Sequence, residues 1–356
     1  MNTRNSLVSV LMLVCVLLSA CTSAVPATQV PTSLPPTAAP TIIPPTQAPV
    51  AIESAVNLNQ VADISNSAET VSVDFLNNRI PLSAFDSIWF LSDTQGRVTR
   101  WDPETRQILA TIEVGDPGKA PYGVPVVAIA TDDALWVASV AAHEIVKIDP
   151  ETNQIVKHIA IPYSGDNFYT SNMVLAGNTA WVWDYDKKLV QGVSLDTGQV
   201  VASVGNVKSI GGFEGSFWYS NSEGTVQLDP VSNQVIKQLP STHPIPAFSA
   251  DGSMWGFSKA VIFRMDPQTG EFTARIRFGT EIDDVKFAGG SLWVTVSPGA
   301  PPACHNGSYL IQIDPKTNAA TGKIALDCPF DIIPYQNGLY ATAADESHLE
   351  LIYVEP

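Results

Sequence analysis

The chain is poor in charge, in histidine and in cysteine. Charged residues make up 15% of its 356 positions, with 19 basic against 35 acidic, for a net charge of −16. That balance excludes the basic stripe needed to hold nucleic acid or to adhere directly to anionic lipid. The five histidines, His143, His158, His243, His305 and His348, show no His-x-x-x-His spacing, so none forms the paired ligands of a helical zinc site. No Gly-x-Ser-x-Gly, His-Glu-x-x-His or phosphate-loop motif occurs, which removes common signatures of hydrolases, metalloproteases and nucleotide enzymes. No apolar run reaches the roughly 18 to 20 residues of a membrane span.

What is present begins with a leader. Arg4 supplies a positive start, Leu7 to Leu18 form a short apolar core, and Leu18-Ser19-Ala20-Cys21 fits a lipobox. Residues 1–20 therefore read as a bacterial lipoprotein signal, with Cys21 left to carry lipid. The expected location is the cell envelope, on the extracytoplasmic side, with the membrane contacted through the lipid alone. An ordinary secretory signal with an incidental Cys is the alternative. Residues 22–50 hold eight Pro, six Thr and no charge. Such a composition cannot bury a core, so residues 21–68 are expected to be an extended tether.

Through the rest of the chain one phrase recurs. An apolar pair containing Trp is followed by Asp-Pro-x-Thr, as in Ile88-Trp89 with Asp102-Pro103-Glu104-Thr105. It returns at Leu135-Trp136 with Asp149-Pro150-Glu151-Thr152 and at Met254-Trp255 with Asp266-Pro267-Gln268-Thr269. A period of roughly 40 residues built from short strands is the mark of a β-propeller. Aligning on Trp89, Trp136, Trp181, Trp218, Trp255, Trp293 and Tyr340 gives seven repeats. The third lacks the Pro, reading Leu195-Asp196-Thr197-Gly198. The seventh supplies only three strands, so Thr70 to Leu76 is expected to complete it and close the ring. Closure from both chain ends removes two exposed sheet edges. The fold class is thus all-β: a seven-bladed propeller of four-stranded blades over residues 69–356.

These repeats resemble the YVTN and virginiamycin B lyase-like family of seven-bladed propellers. Asp251-Gly252-Ser253-Met254-Trp255 and Asp266-Pro267-Gln268-Thr269-Gly270 carry the resemblance. The lyases of that family use histidine with a magnesium-binding carboxylate. The positions after each Trp motif here, such as Leu91, Ala138, Ser220 and Thr295, offer no repeated acid or His to match.

Propeller topology puts the links between blades, and those between second and third strands, on one face. The positions opening each inner strand then mark the channel mouth. They include Arg79, Asn172, Lys208, Asp283, Asp284 and Asp331. Three acids and Arg79 fall on the consecutive blades six, seven and one. Such a cluster suits a divalent cation, Ca or Mg, or a sugar hydroxyl; a solvated ion-pair network with Arg79 is the bland alternative. The loop from Pro162 to Asn172 mixes Tyr163 and Tyr169 with Asp166 and Asn167, which suits a glycan or peptide, or else packs on its own blade. Cys304 and Cys328 are an even pair in an exported domain and are expected to form a disulfide over an inserted loop. A metal site of both thiols with His305 is the rival, short of a fourth ligand.

The resulting expectation is a non-catalytic binding propeller, monomeric, for a small molecule, a glycan or an envelope protein. A metal-dependent lyase or hydrolase, and a scaffold subunit of an envelope complex, are the alternatives.

Overall fold

Short runs rich in Val, Ile, Trp and Tyr alternate with turns of Gly, Asp and Asn, and each such run becomes one strand of an up-and-down sheet. The structure, a computed structural model, describes residues 51–73, 78–92, 96–114, 126–139, 143–161, 173–213, 215–299, 303–344 and 349–355. Seven sheets follow one another around a ring. The first blade comprises Asn78–Ala84, Ser87–Ser92, Arg97–Asp102 and Gln107–Glu113, from channel to periphery. The seventh comprises Pro329–Tyr335, Gly338–Ala344 and Leu349–Val354, completed by Ala68–Val73. That last pairing is antiparallel, from Ala68 opposite Val354 to Val73 opposite Leu349. The N-terminal strand therefore closes the ring, starting two residues earlier than the sequence suggests; residues 74–77 lie outside the described set.

Burial follows from blades stacking face to face. The second strand is covered on both faces, so all six residues of Ser87–Ser92 and of Thr179–Asp184 are buried. Outer strands meet solvent on one side and alternate, as Gln154–Ala160 does. Trp89, Trp181, Trp218, Trp255 and Trp293 are fully buried, and Trp136 and Tyr340 nearly so. Burying a large ring contributes about 1.5–3 kcal/mol at each blade, which explains why the Trp recurs.

The Asp-Pro-x-Thr phrase has a structural cause of equal weight. Asp266 Oδ1 accepts from the N–H groups of Gln268 and Thr269, both at 2.8 Å. Asp102, Asp149, Asp229 and Asp314 cap their own turns in the same way. The fourth residue after each Asp returns its N–H to the Asp carbonyl. It sits at φ between 56° and 76°: Arg106, Asn153, Asn233, Gly270 and Asn318. In blade three Ser194 takes the Asp position and Gly198 the left-handed one. The turns also join neighbours. Arg100, lying over Trp89, donates to Pro150 O of the next blade at 2.5 Å, and Arg264, over Trp255, donates to Pro315 O at 2.9 Å.

The tether expected over 21–68 is corrected at its far end. Of those residues the structure describes 51–68, and they lie along the rim of the ring. Ile52–Ala55 adds to blade five as a fifth strand, parallel to Phe272–Arg277, so that blade is not four-stranded. Glu53 bonds Arg275 at 2.9 Å and Arg277 at 3.1 Å. The segment then crosses blade six, where Ile64 N–H donates to Lys323 O at 3.0 Å. A Cβ at Gly322 would stand 2.6 Å from Ile64 Cδ1, so any larger residue there must push the Ile64 side chain aside. The physical reason is the outer edge of each blade, whose unpaired backbone groups accept any extended chain that can reach them.

Candidate functional site

Three consecutive blades share one irregularity. The inner strands of blades six, seven and one each break register near their start, between Ile282 and Asp284, Pro329 and Ile332, and Asn78 and Ile80. A bulge frees one residue from the ladder and re-aims its side chain. The backbone positions left out of register are Asp283, Phe330 with Asp331, and Arg79; of these Asp283, Asp331 and Arg79 are positions expected at the channel mouth.

Two buried threonines hold the bulges. Thr295 Oγ1 accepts from Asp284 N–H at 3.0 Å, and Thr342 Oγ1 accepts from Asp331 N–H at 2.8 Å. The two Asp–Thr pairs occupy equivalent places in blades six and seven. Asp284 links them: its Oδ2 accepts from Ile332 N–H of blade seven at 3.0 Å, while Oδ1 accepts from Val285 N–H at 2.8 Å. Lys286 Nζ stands 2.6 Å from the same Oδ1. Asp283 accepts from Ser297 Oγ at 3.0 Å.

Asp331 is different. It is partly buried, and among the described residues no donor reaches its carboxyl group. Burial, reinforced by the charge of Asp284 and opposed by Lys286, pushes its pKa up to about 7. Asp283 is also raised, chiefly by burial, with Glu281 and Asp284 adding to the effect. A partly buried carboxyl group beside a carboxylate releases its proton reluctantly. A cation placed there replaces that proton.

The rim of this mouth is pinned. Cys304 and Cys328 form a disulfide with Cα atoms 4.7 Å apart. Ser308 Oγ donates to Cys304 O at 2.8 Å, and Leu326 N–H donates to Ser308 O at 3.2 Å. His305 Nδ1 lies 2.8 Å from Asp327 Oδ1 and 3.5 Å from Cys328 Sγ. With both sulfurs bonded to each other, neither offers the thiolate that the rival metal site needs.

The ring is similar to that of streptogramin B lyase. That structure matches with a TM-score of 0.59 at 14% identity, covering 81% of this chain and 97% of that one. A virginiamycin B lyase from Staphylococcus aureus matches at 0.57 and 13%, over 81% and 99%. The WD40 domain of Pan2 from Neurospora crassa matches at 0.59 and 9%, over 83% and 98%. No family model and no curated protein matches the sequence. The virginiamycin B lyase-like propeller read from the repeats is thus the architecture found. Identities this low establish the fold and carry no residue roles.

The expected site residues fare unequally. Asp283, Asp284 and Asp331 are brought together. Lys208 stands exposed at the head of blade four, its N–H donating to Ser220 O at 2.8 Å. Arg79 lies in the strand Asn78–Ala84, but its side chain is outside the described set, as are Cys21, Tyr163, Tyr169 and Asn172 altogether. Lys286, Thr295, Ser297 and Thr342 were not legible as site residues. Lys286 had a signal: two residues beyond Asp284, it shares that residue's face of the strand.

Proposed function

We propose that this chain is a membrane-anchored extracytoplasmic lipoprotein whose propeller acts as a non-catalytic binding module. Its ligand engages the channel mouth through a divalent cation or a cationic group. The observation that carries the reading is Asp331, a partly buried carboxyl group that no donor among the described residues reaches, set beside the Asp284–Lys286 pair. A cation there supplies a partner that none of the described residues provides. The rim insertion closed by Cys304–Cys328 keeps the mouth in shape for it.

The site is tested by titrating calcium and magnesium into the purified chain while following its melting temperature. A saturable rise, abolished in the Asp284→Asn/Asp331→Asn double variant, supports the reading. No rise with either ion in the parent protein sinks the cation form of it. Anchoring is tested separately: Cys21→Ser should move the protein from the detergent phase to the aqueous phase. A parent protein made in a bacterial host that never enters detergent defeats the lipoprotein assignment.

One observation favours a second reading, a lyase or hydrolase. A carboxyl group titrating near 7 is suited to general acid–base catalysis at neutral pH. Consumption of virginiamycin B by the parent chain and not by Asp331→Asn would support it.

A further inference from the structure

We infer that the outer edges of blades one to four form a docking surface for an extended, aliphatic, acid-free segment of another protein, laid around the ring as residues 51–67 are laid over blades five and six. The outer strands of blades one to six share a bulge at one place. There the ladder to the third strand slips, and one residue drops out of register. In blades one to four that residue is Leu109, Val156, Val201 and Ile236 in turn. Each is between 46% and 55% exposed. In blades five and six it is Thr273 and Thr321, whose hydroxyls return to their own blades, donating to Arg264 O and Gln312 O at 3.4 Å. An aliphatic side chain has no such bond to make. One exposed aliphatic is ordinary, but one at the same bulge in four consecutive blades makes a stripe along the ring.

The covered blades show what such an edge accepts. Among the described residues no strand lies beyond the outer strands of blades one to four, Gln107–Glu113, Gln154–Ala160, Val200–Val204 and Val235–Leu239. Beyond that of blade five lies Ile52–Ala55, which runs parallel to it and enters opposite Ala274, next to the bulged Thr273. Blade six is crossed in the same sense. Asp63 stands opposite Lys323 in parallel, Ile64 N–H donates to Lys323 O at 3.0 Å, and Lys323 N–H donates to Ala62 O at 2.8 Å. A bulge normally blunts an open edge, yet here it does not stop an added chain. Glu53 and Asp63, ten residues apart, meet equivalent positions of the two blades, Arg275 and Lys323. The added chain therefore advances one blade every ten residues.

Equivalent positions also give the chemistry of the partner. The places of Arg275 and Lys323 are taken in blades one to four by Thr111, His158, Ser203 and Gln238. None is a lysine or an arginine, and His158 lies 2.9 Å from Glu144. Asp102, Asp149 and Asp229 cap the turns that lead into three of these strands. An acidic segment finds no cation there and is repelled, whereas an aliphatic one covers the stripe. It binds as an added strand, its backbone giving affinity and its side chains specificity. The stripe follows the ring, so a flat surface such as a bilayer reaches few of its residues at once and an extended chain reaches them all. The chain's own preceding residues do not fit. Pro44 falls ten residues before Ser54 and twenty before Ile64, and proline has no N–H to donate. The occupant is thus a segment of another protein. No residue of the Asp284 and Asp331 mouth takes part, so the inference does not depend on the cation reading.

The full chain is titrated, by fluorescence anisotropy, into three labelled peptides that each span residues 51–66. The first carries Glu53→Val and Asp63→Val, the second is unchanged, and the third adds Ser54→Pro and Ile64→Pro to the first. The first should bind saturably, the second at least about tenfold more weakly, and the third not at all. In the protein, Val156→Glu with Val201→Glu interrupts every pair of adjacent edges in the stripe. It should weaken the first peptide at least about tenfold, with Val156→Thr/Val201→Thr intermediate. Both positions are exposed, so the melting temperature should hold. Thr273→Glu with Thr321→Glu, on the covered blades, should leave binding unchanged. No saturable binding of the first peptide overturns the proposal, as does equal binding of the third or undiminished binding by the Val156→Glu/Val201→Glu variant. Loss of binding in the Thr273→Glu/Thr321→Glu variant alone overturns it by moving the peptide to blades five and six. Equal binding of the unchanged peptide overturns the acid-free assignment. A dimer of the chain alone, seen by sedimentation and abolished by Val156→Glu/Val201→Glu, overturns the assignment of another protein by seating a second copy on the stripe.

Discussion

Aspartate behaves in opposite ways on the two faces of this ring. On the tight-turn face Asp102, Asp149, Asp229, Asp266 and Asp314 sit in water and accept bonds from backbone N–H groups and from Thr or Ser hydroxyls. Those bonds hold every one of them below the ordinary carboxylate value. At the channel mouth Asp331 is partly buried and faces Asp284, its carboxyl group accepts no bond from the described residues, and it is raised to about 7. The residue type is the same; the environment differs. Repetition marks the first group as structural, because every blade needs its turn capped. Departure from repetition marks the second, because only two blades carry an acid at the head of the inner strand.

The largest test removes what fixes the mouth and leaves the turns alone. Closing a loop of 24 residues stabilises by roughly 3 kcal/mol in the chain-entropy picture. Cys304→Ser with Cys328→Ser should therefore lower stability by about that amount and speed amide exchange in residues 303–308. Unchanged exchange there would show that the mouth does not depend on the bond.

A second test uses pH. Asp331 has its folded pKa raised above its ordinary value of 3.8, so the folded state holds the extra proton between about 4 and 7. The stability linked to that proton is complete below pH 4 and is lost as pH rises through 7. Asp331→Asn escapes the loss. It should be more stable than the parent by about 2–4 kcal/mol at pH 8 and equal to it at pH 4. A difference that stays constant from pH 4 to 8 would place the raised pKa elsewhere.

The smallest effect belongs to a single turn. Asp266→Ala removes an acceptor of two backbone N–H groups and should cost about 1–2 kcal/mol. Because its folded pKa is lowered, the contribution is present above the ordinary pKa of 3.8 and is lost only as pH falls through the folded value. Denaturation of parent and variant at pH 6 and 8 should give one and the same difference. A difference that varies between those two pH values would mean that the two faces are not independent.

Legibility in the sequence followed the range of each signal. The Trp of strand two, the Asp of the turn and the spacing between them lie within one blade, and all three reappear in the fold. The closing strand was legible because the last repeat counts one strand short. The site was legible in part. Topology alone aligned Asp283, Asp284 and Asp331, since it fixes which positions head the inner strands. It did not show that Asp284 takes Lys286 as its cation and that no described residue donates to the carboxyl group of Asp331.

The sequence by itself determined the repeat, the turns, the cysteine pair and the number of blades, because each rests on residues near one another in the chain. Tertiary structure decided the bulges, the state of Asp331 and the course of residues 51–67 over blades five and six. Those depend on which distant groups meet. No local pattern near Glu53 announces Arg275, and nothing beside Ile64 announces the space left by Gly322. The ring must be closed before either partner is in reach.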